Sequence, residues 1–295
     1  MLNKKLKMIG MSGIVMLSLV LVTGCAEFDS MYEGSTDNSV DALVTTFDLG
    51  DGRLFNMPNK EERNKYTEAL VKIGTEVEVK ESNGATFGGK TSAQIFKGWK
   101  SAGNGCDTRD KMINEAVLEY RANNSASIIK YEDKSNCKVL EGTLYDPYTD
   151  TDIDFVYGTT ENRDGGVQID HVVAANLAYQ EGASEWTEDE LKAYYNDPFV
   201  LIAVQDSINS SKGNGICSKN GCNIDKKGKA GDSDEDKAYK FWVPPNINYR
   251  CEYAYRQVTI REKYGLWMLP DERDTYSMVL SVCAGDESPL RLIGK

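Results

Sequence analysis

The sequence predicts an α+β domain carried behind an export leader, and three observations set that reading. Short β-branched runs of five to seven residues alternate with stretches of helical periodicity, and neither type dominates the chain. A basic segment followed by an apolar run occupies the first 25 residues. Seven cysteines accompany that leader, and paired cysteines are expected where a chain leaves the reducing cytoplasm.

Lys4, Lys5 and Lys7 precede Met8 to Val22, an apolar stretch of 15 residues. That length suits a secretory signal and falls short of a membrane span. Leu21-Val22-Thr23-Gly24-Cys25 resembles a bacterial lipobox. Residues 1–24 are therefore expected to be a lipoprotein signal peptide, with Cys25 lipidated as the first mature residue. Several acyl chains would give stable attachment to the membrane, outside the cytoplasm. An ordinary signal peptide with an unrelated cysteine is the alternative.

Residues 25–87 read as a tether and N-terminal extension, polar and rich in Asp, Ser, Asn, Thr and Gly up to residue 45. Within it, Glu61 to Val71 has helical character and Thr75 to Glu81 alternates like a strand. The main domain is expected over residues 88–287, long enough to bury its own core. Asp107 to Arg121 places Met112, Ile113, Ala116, Val117 and Tyr120 at helical spacing behind an acidic cap. Ser127–Tyr131, Lys138–Leu144, Ile153–Tyr157 and Val167–Val173 read as strands, with turn chemistry at Asp146-Pro147-Tyr148-Thr149. Thr187 with Glu190 forms a capping-box pattern, closed by Asn196-Asp197-Pro198. Phe199 to Val204 is buried, as strand or helix, and a long helix runs from about Ile247 to Tyr264, stopped by Gly265.

The net charge of −12 becomes −15 once the leader, with its three lysines and no acid, is removed. Such a surface repels phosphate, so polyanion binding requires a local cluster of cations. Arg250, Arg256, Arg261 and Lys263 supply one candidate cluster, a solvated helix face being the alternative. With Cys25 assigned to lipid, Cys106, Cys137, Cys217, Cys222, Cys251 and Cys283 remain. Proximity favours the pairs 106–137, 217–222 and 251–283. Zinc at Cys217 and Cys222 would need further ligands nearby, and no histidine or second close cysteine pair supplies them.

Asp170-His171 contains the single histidine of the chain, and Asn209 and Lys212 follow downstream. An imidazole can take a proton from water near neutral pH. A carboxylate and an amide oxygen suit a hard divalent cation such as Mg²⁺. A nearby ammonium could offset charge that develops on a phosphate. Neighbouring strand residues face opposite ways, so the strand must end or bulge at this dipeptide for both side chains to act together. The plainer alternatives are a satisfied histidine at a strand end, a capping asparagine and a solvated lysine.

Asp170-His171-Val172-Val173, Asn196-Asp197-Pro198, the apolar run to Val204 and Asn209-Ser210-Ser211-Lys212-Gly213 occur in order. Trp242-Val243-Pro244-Pro245, Tyr249-Arg250-Cys251 and Lys263-Tyr264-Gly265-Leu266 follow, with Gly105-Cys106-Asp107-Thr108-Arg109 upstream. This set resembles the secreted branch of the HNH endonuclease superfamily, related to the C-terminal nuclease domain of GmrSD-type restriction enzymes. The resemblance implies a ββα-metal core within a disulfide-stapled single domain. His171 would be the general base, Asp170 a metal ligand and Asn209, on the following helix, the second ligand. From the chemistry above, Lys212 is expected to assist catalysis and Arg250 and Arg256 to contact substrate; Arg109 is expected at the cleft with Asp107, a helix-capping Asp107 with a structural Arg109 being the equal alternative. The implied cofactor is a divalent metal, Mg²⁺ ahead of Mn²⁺, and the implied partner is nucleic acid, DNA ahead of RNA. No obligate protein partner is implied. Two supporting positions depart from the pattern: Phe199-Val200-Leu201 stands where an Asn-Leu pair is usual, and Ala174 where a proline is usual. Residues 214–230 form an insertion. The expected function is a lipid-anchored, metal-dependent endonuclease, and the alternative is a non-catalytic surface lipoprotein that keeps the fold as a binding module.

Overall fold

The structure is a computed structural model, and it describes residues 46–49, 52–158, 166–216 and 239–293. Cys25, the lipobox, and Cys217 and Cys222 lie outside the described residues. Residues 40–295 make one compact unit, and residues 1–39, the other, are outside the described residues. Among the described residues, no helix is long and apolar enough to cross a membrane.

A small hairpin, β1 (Thr46–Asp48) and β2 (Leu54–Asn56), leads into α1 (Lys60–Lys72). Asn59 and Glu62 satisfy each other's backbone amides in a reciprocal cap at the start of α1. Phe55, Met57, Tyr66, Ala69 and Val77 enter the main core, so the extension before residue 88 is packed into the same body. The alternating stretch from Thr75 forms only single bridges, Ile73 to Val77 and Val79 to Met268, and not a strand.

After α2 (Ser92–Ile95) comes a two-stranded ladder, β3 (Ser101–Gly103) with β4 (Cys106–Asp107), then α3 (Thr108–Asn123). Asp107 caps α3 through a reciprocal bond with Asp110. One sheet joins β5 (Lys130–Tyr131), β6 (Val139–Asp146) and β7 (Thr151–Val156), all antiparallel. A second pairs β8 (Val167–His171) with β9 (Leu201–Gln205). Ile113 and Val117 of α3 meet Val139, Leu144 and Phe155 of the first sheet and Val167, Ile169, Leu201 and Ala203 of the second. That smaller core seats the β8–β9 hairpin.

Between those two strands lie α4 (Ala175–Gln180) and α5 (Glu188–Tyr195), the latter capped by Thr187 and Glu190 as its sequence predicts. The Phe199 to Val204 run resolves as strand because β8 offers it an antiparallel partner. Then α6 (Asp206–Lys212) packs against both strands. Two helices close the larger core, α7 (Arg250–Tyr264) and α8 (Pro270–Cys283), followed by the short α9 (Leu290–Ile293). Gly265 ends α7 at φ +63°, a left-handed conformation that glycine adopts without strain. The fold is thus α+β, as expected, with its strands in small separate ladders.

Two of the three expected disulfides lie within the described residues, Cys106–Cys137 and Cys251–Cys283. The second ties α7 to α8 across a sequence separation of 32 residues. Loop-closure entropy for that span corresponds to about 3–4 kcal/mol. Replacing Cys251 and Cys283 by Ser is expected to lower unfolding free energy by about that amount, read from urea denaturation under oxidising conditions.

Candidate active site

Residues alternate across β8, and the two faces meet different neighbours. Gln168 and Asp170 face α6: Asn209 Nδ2 donates to Gln168 Oε1 at 2.8 Å, and Lys212 Nζ donates to both carboxylate oxygens of Asp170 at 2.7 Å. Asn209 and Lys212 are three residues apart, hence on one side of the helix. Ile169 packs on the opposite face, and His171 also projects from it, meeting Trp99, Tyr194 and Tyr195. The strand ends at His171, and there the two faces open to one cleft. Asp170, His171 and Asn209 all line that cleft, of about 460 Å³. The termination that the dipeptide's chemistry required is therefore present.

His171 is 8 % exposed, its ring stacked 5.7 Å from Trp99 at an interplanar angle of 8° and 4.3 Å from Tyr195. Nε2 lies 3.1 Å from the carbonyl oxygen of Tyr195. A carbonyl only accepts, so Nε2 carries the proton and Nδ1 keeps the lone pair. Burial drives the imidazole pKa down to about 3, the Tyr195 hydrogen bond opposes this, and the Lys212 ammonium adds to the fall. The ring is a neutral base across the physiological range. Asn196 grips the segment that carries Trp99, accepting from the Lys100 amide at 2.7 Å and donating to the Gly98 carbonyl at 3.0 Å.

Asp170 is equally buried, and Tyr148 adds a hydroxyl donor at 2.7 Å to its Oδ2. Lys212 Nζ also donates to the His171 carbonyl at 2.7 Å. Two bonds from Lys212 and one from Tyr148 thus occupy three of the roughly four lone-pair directions of the Asp170 carboxylate. Burial pulls the Lys212 ammonium pKa down while Asp170 pulls it back up. Lys212 does not line the cleft; it sits beneath Asp170 and holds it, a placement that differs from the phosphate contact expected of it.

These residues fit a weakly held, water-rich divalent cation. Asp170 and Asn209 both line the cleft; three hydrogen bonds leave one of the carboxylate's acceptor directions, and the Gln168 bond engages the nitrogen of Asn209, so its amide oxygen is the atom that would meet a cation. Among the described residues, no group of three or more His, Cys, Asp or Glu gathers at one point. Mg²⁺ commonly needs only one or two carboxylates and takes other ligands from water and substrate phosphate.

The arginines expected at the substrate sit elsewhere. Arg250 is fully buried, donating to the Pro244 carbonyl at 2.8 Å, to Tyr239 and to the Ile293 carbonyl, so it braces the C-terminal segment and cannot reach a substrate. Arg256 binds the carbonyls of Phe199 and Leu201 at 2.8 and 3.1 Å and lines a different groove, beside α3. Arg109 donates to the Val167 carbonyl at 3.3 Å, at the opposite end of β8 from His171. The candidate cation cluster on α7 is dismantled too: Arg261 is buried between Glu181 and Glu272, and Lys263 pairs with Asp197. Of the two departures, Ala174 keeps φ at −57°, a value proline would impose. Val200 is buried and Phe199 lies under the Lys263 ammonium, at 5.3 Å from its ring centroid.

Sequence reading missed Trp99, Tyr148, Tyr195 and Gln168. Gln168 was legible, being two residues before Asp170 and so on its face. Tyr148 was hidden in a segment whose turn chemistry is also correct, since Asp146 accepts from the Tyr148 amide at 2.9 Å.

The chain belongs to the family described as GmrSD restriction endonucleases, C-terminal domain, which matches residues 114–277. It is also similar to an uncharacterized secreted protein of Arthroderma benhamiae, 24% identical over 194 residues, covering 65% of this chain and 75% of that one. No solved structure matches.

Two outcomes follow from the buried groups. Lys212→Met leaves the Asp170 carboxylate unpaired and is expected to cost about 3–5 kcal/mol, largely recovered in a Lys212→Met, Asp170→Asn double variant, by urea denaturation. For His171, folding favours the neutral ring, so its contribution is complete above pH 6.5 and is lost as pH falls towards about 3. Relative to His171→Gln, the wild type should lose about 1.4 kcal/mol per pH unit across that window, read from denaturation midpoints.

Proposed function

We propose that this chain is an exported, metal-dependent endonuclease that hydrolyses phosphodiester bonds, DNA ahead of RNA. The observation that carries this reading is the convergence of Asp170, His171 and Asn209, from one strand and the helix packed on it, at one cleft. Family membership supports it independently. In the superfamily's terms, β8, β9 and α6 are the ββα unit, two antiparallel strands followed by a helix.

His171 takes a proton from the attacking water at Nδ1, while the Tyr195 carbonyl holds Nε2–H and so the ring's orientation. The phosphorus–oxygen bond to the leaving group then breaks, and that oxygen is protonated from solvent. Asp170 and Asn209 would hold the metal, Mg²⁺ ahead of Mn²⁺. When bound, such a cation supplies Lewis-acid relief of the charge on the scissile phosphate. Lys212 positions Asp170 and turns it towards the strand end. A phosphate anion beside His171 favours imidazolium, raising its pKa from the low value that burial imposes towards one useful for proton transfer.

Paired cysteines and the secreted relative support a place outside the cytoplasm. Lipidation at Cys25 would hold the enzyme at the membrane, with residues 26–45 as tether.

Residues 26–295 incubated with plasmid and Mg²⁺ or Mn²⁺ are expected to nick it, with cleavage abolished by chelator and reduced about 10²–10⁴-fold by His171→Ala. Asn209→Ala is expected to raise the half-saturating metal concentration at least about tenfold, measured by titrating the initial rate. Plasmid bound but uncut with every metal would make the chain a binding module instead.

A further inference from the structure

The acidic chain still requires a cation where a polyanion would dock. Arg109, Arg250, Arg256, Arg261, Lys212 and Lys263 do not supply one at the cleft, for the reasons given by their partners. Among the described residues that line it, Lys90 is the one cation, and it stands in the same wall set as Asp170, His171 and Asn209. Its side chain is exposed and makes no ion pair among the described residues.

The backbone beneath Lys90 is fixed from both sides. Gly88 and Gly89 take φ of +59° and +82°, closing a turn in which the Lys90 amide donates to the Phe87 carbonyl at 3.1 Å. Side chains with a Cβ rarely adopt such values, so this turn depends on glycine. Phe87 is anchored edge-on against Tyr179 and Phe96, with centroids 5.2 and 6.2 Å away. On the other side, Thr91 and Gln94 cap each other. A held backbone thus presents a free, four-carbon ammonium arm to the cleft. Residues 87–92 precede the span 114–277 that the family description matches.

We propose that Lys90 is a substrate-binding residue that contacts a backbone phosphate of the nucleic-acid strand lying across His171. This rests on the phosphodiester reading of the cleft. As a point charge, Lys90 binds phosphate without reading base sequence.

The test uses residues 26–295 with His171→Ala, so that nothing is cut, and a fluorescein-labelled single-stranded oligonucleotide in chelator. The slope of log affinity against log salt is measured by anisotropy. Adding Lys90→Ala is expected to reduce the slope by about 0.7, one phosphate contact, with Lys90→Arg restoring it. In the cleaving enzyme, Lys90→Ala should raise KM several-fold with kcat nearly unchanged. Unchanged slope and affinity in Lys90→Ala, or no oligonucleotide binding by the parent, would overturn the assignment. The nuclease reading fails separately, when the chain with His171 intact does not cut; a slope change that survives there leaves Lys90 as a phosphate contact.

Discussion

The buried ion pair between Lys212 and Asp170 is the contact on which the arrangement of this site depends. Taking two charges out of water costs several kcal/mol per ion, and only close geometry with further hydrogen bonds repays it. Here the ammonium reaches both carboxylate oxygens and the His171 carbonyl, and Tyr148 adds its hydroxyl. Strand end and helix are thereby locked together. A rotation or slide of α6 would strand both charges, so Asn209, one turn earlier, has its position at the cleft set by the same pair. Tyr148 extends the lock to the turn after β6, and Asp146 in that turn bonds the Gln205 amide of β9.

A second buried network holds the other side of the dipeptide. Gln257 on α7 donates to the Val172 carbonyl at 2.6 Å and accepts from Arg261 at 2.7 Å. Arg261 in turn meets Glu181 and Glu272, and Glu272 also receives the Leu269 amide at the start of α8. Burial and the facing Glu272 push the Glu181 carboxyl pKa up, against the pull of Arg261. Of the α7 charges that a sequence alone presents as a docking face, Arg250 and Arg261 are turned inward, and Arg261 braces the backbone beside His171 through Gln257. Two long-range polar networks, rather than apolar packing alone, specify where this strand ends.

Local signals were legible and long-range ones were not, for a physical reason. Caps at Asp107 and Thr187 are satisfied within three residues, so their residue types declare them. The run to Val204 becomes a strand only through its pairing with β8, which no periodicity of its own could report. Asp170, His171 and Asn209 could be named as a set, and their shared cleft follows from the end of β8 at His171, where its two faces open together, and from the turn of α6. Which cations face solvent could not be read, because Arg250 spends a donor on the Ile293 carbonyl and Arg256 on those of Phe199 and Leu201, all distant in sequence. The helix Pro270–Cys283 had signals of its own, proline at its start and acids in its first turn, and went unread. Alternation from Thr75 was real, but only Val79 finds a distant bridge, to Met268.

Trp99 lies ahead of the matched span, yet its indole covers one flat side of the His171 ring. A fragment trimmed to residues 114–277 would lose that cover, wetting the imidazole and letting it titrate nearer the ordinary range. The proton affinity of the His171 imidazole is therefore a property of the flanking segment as much as of the strand that carries the ring.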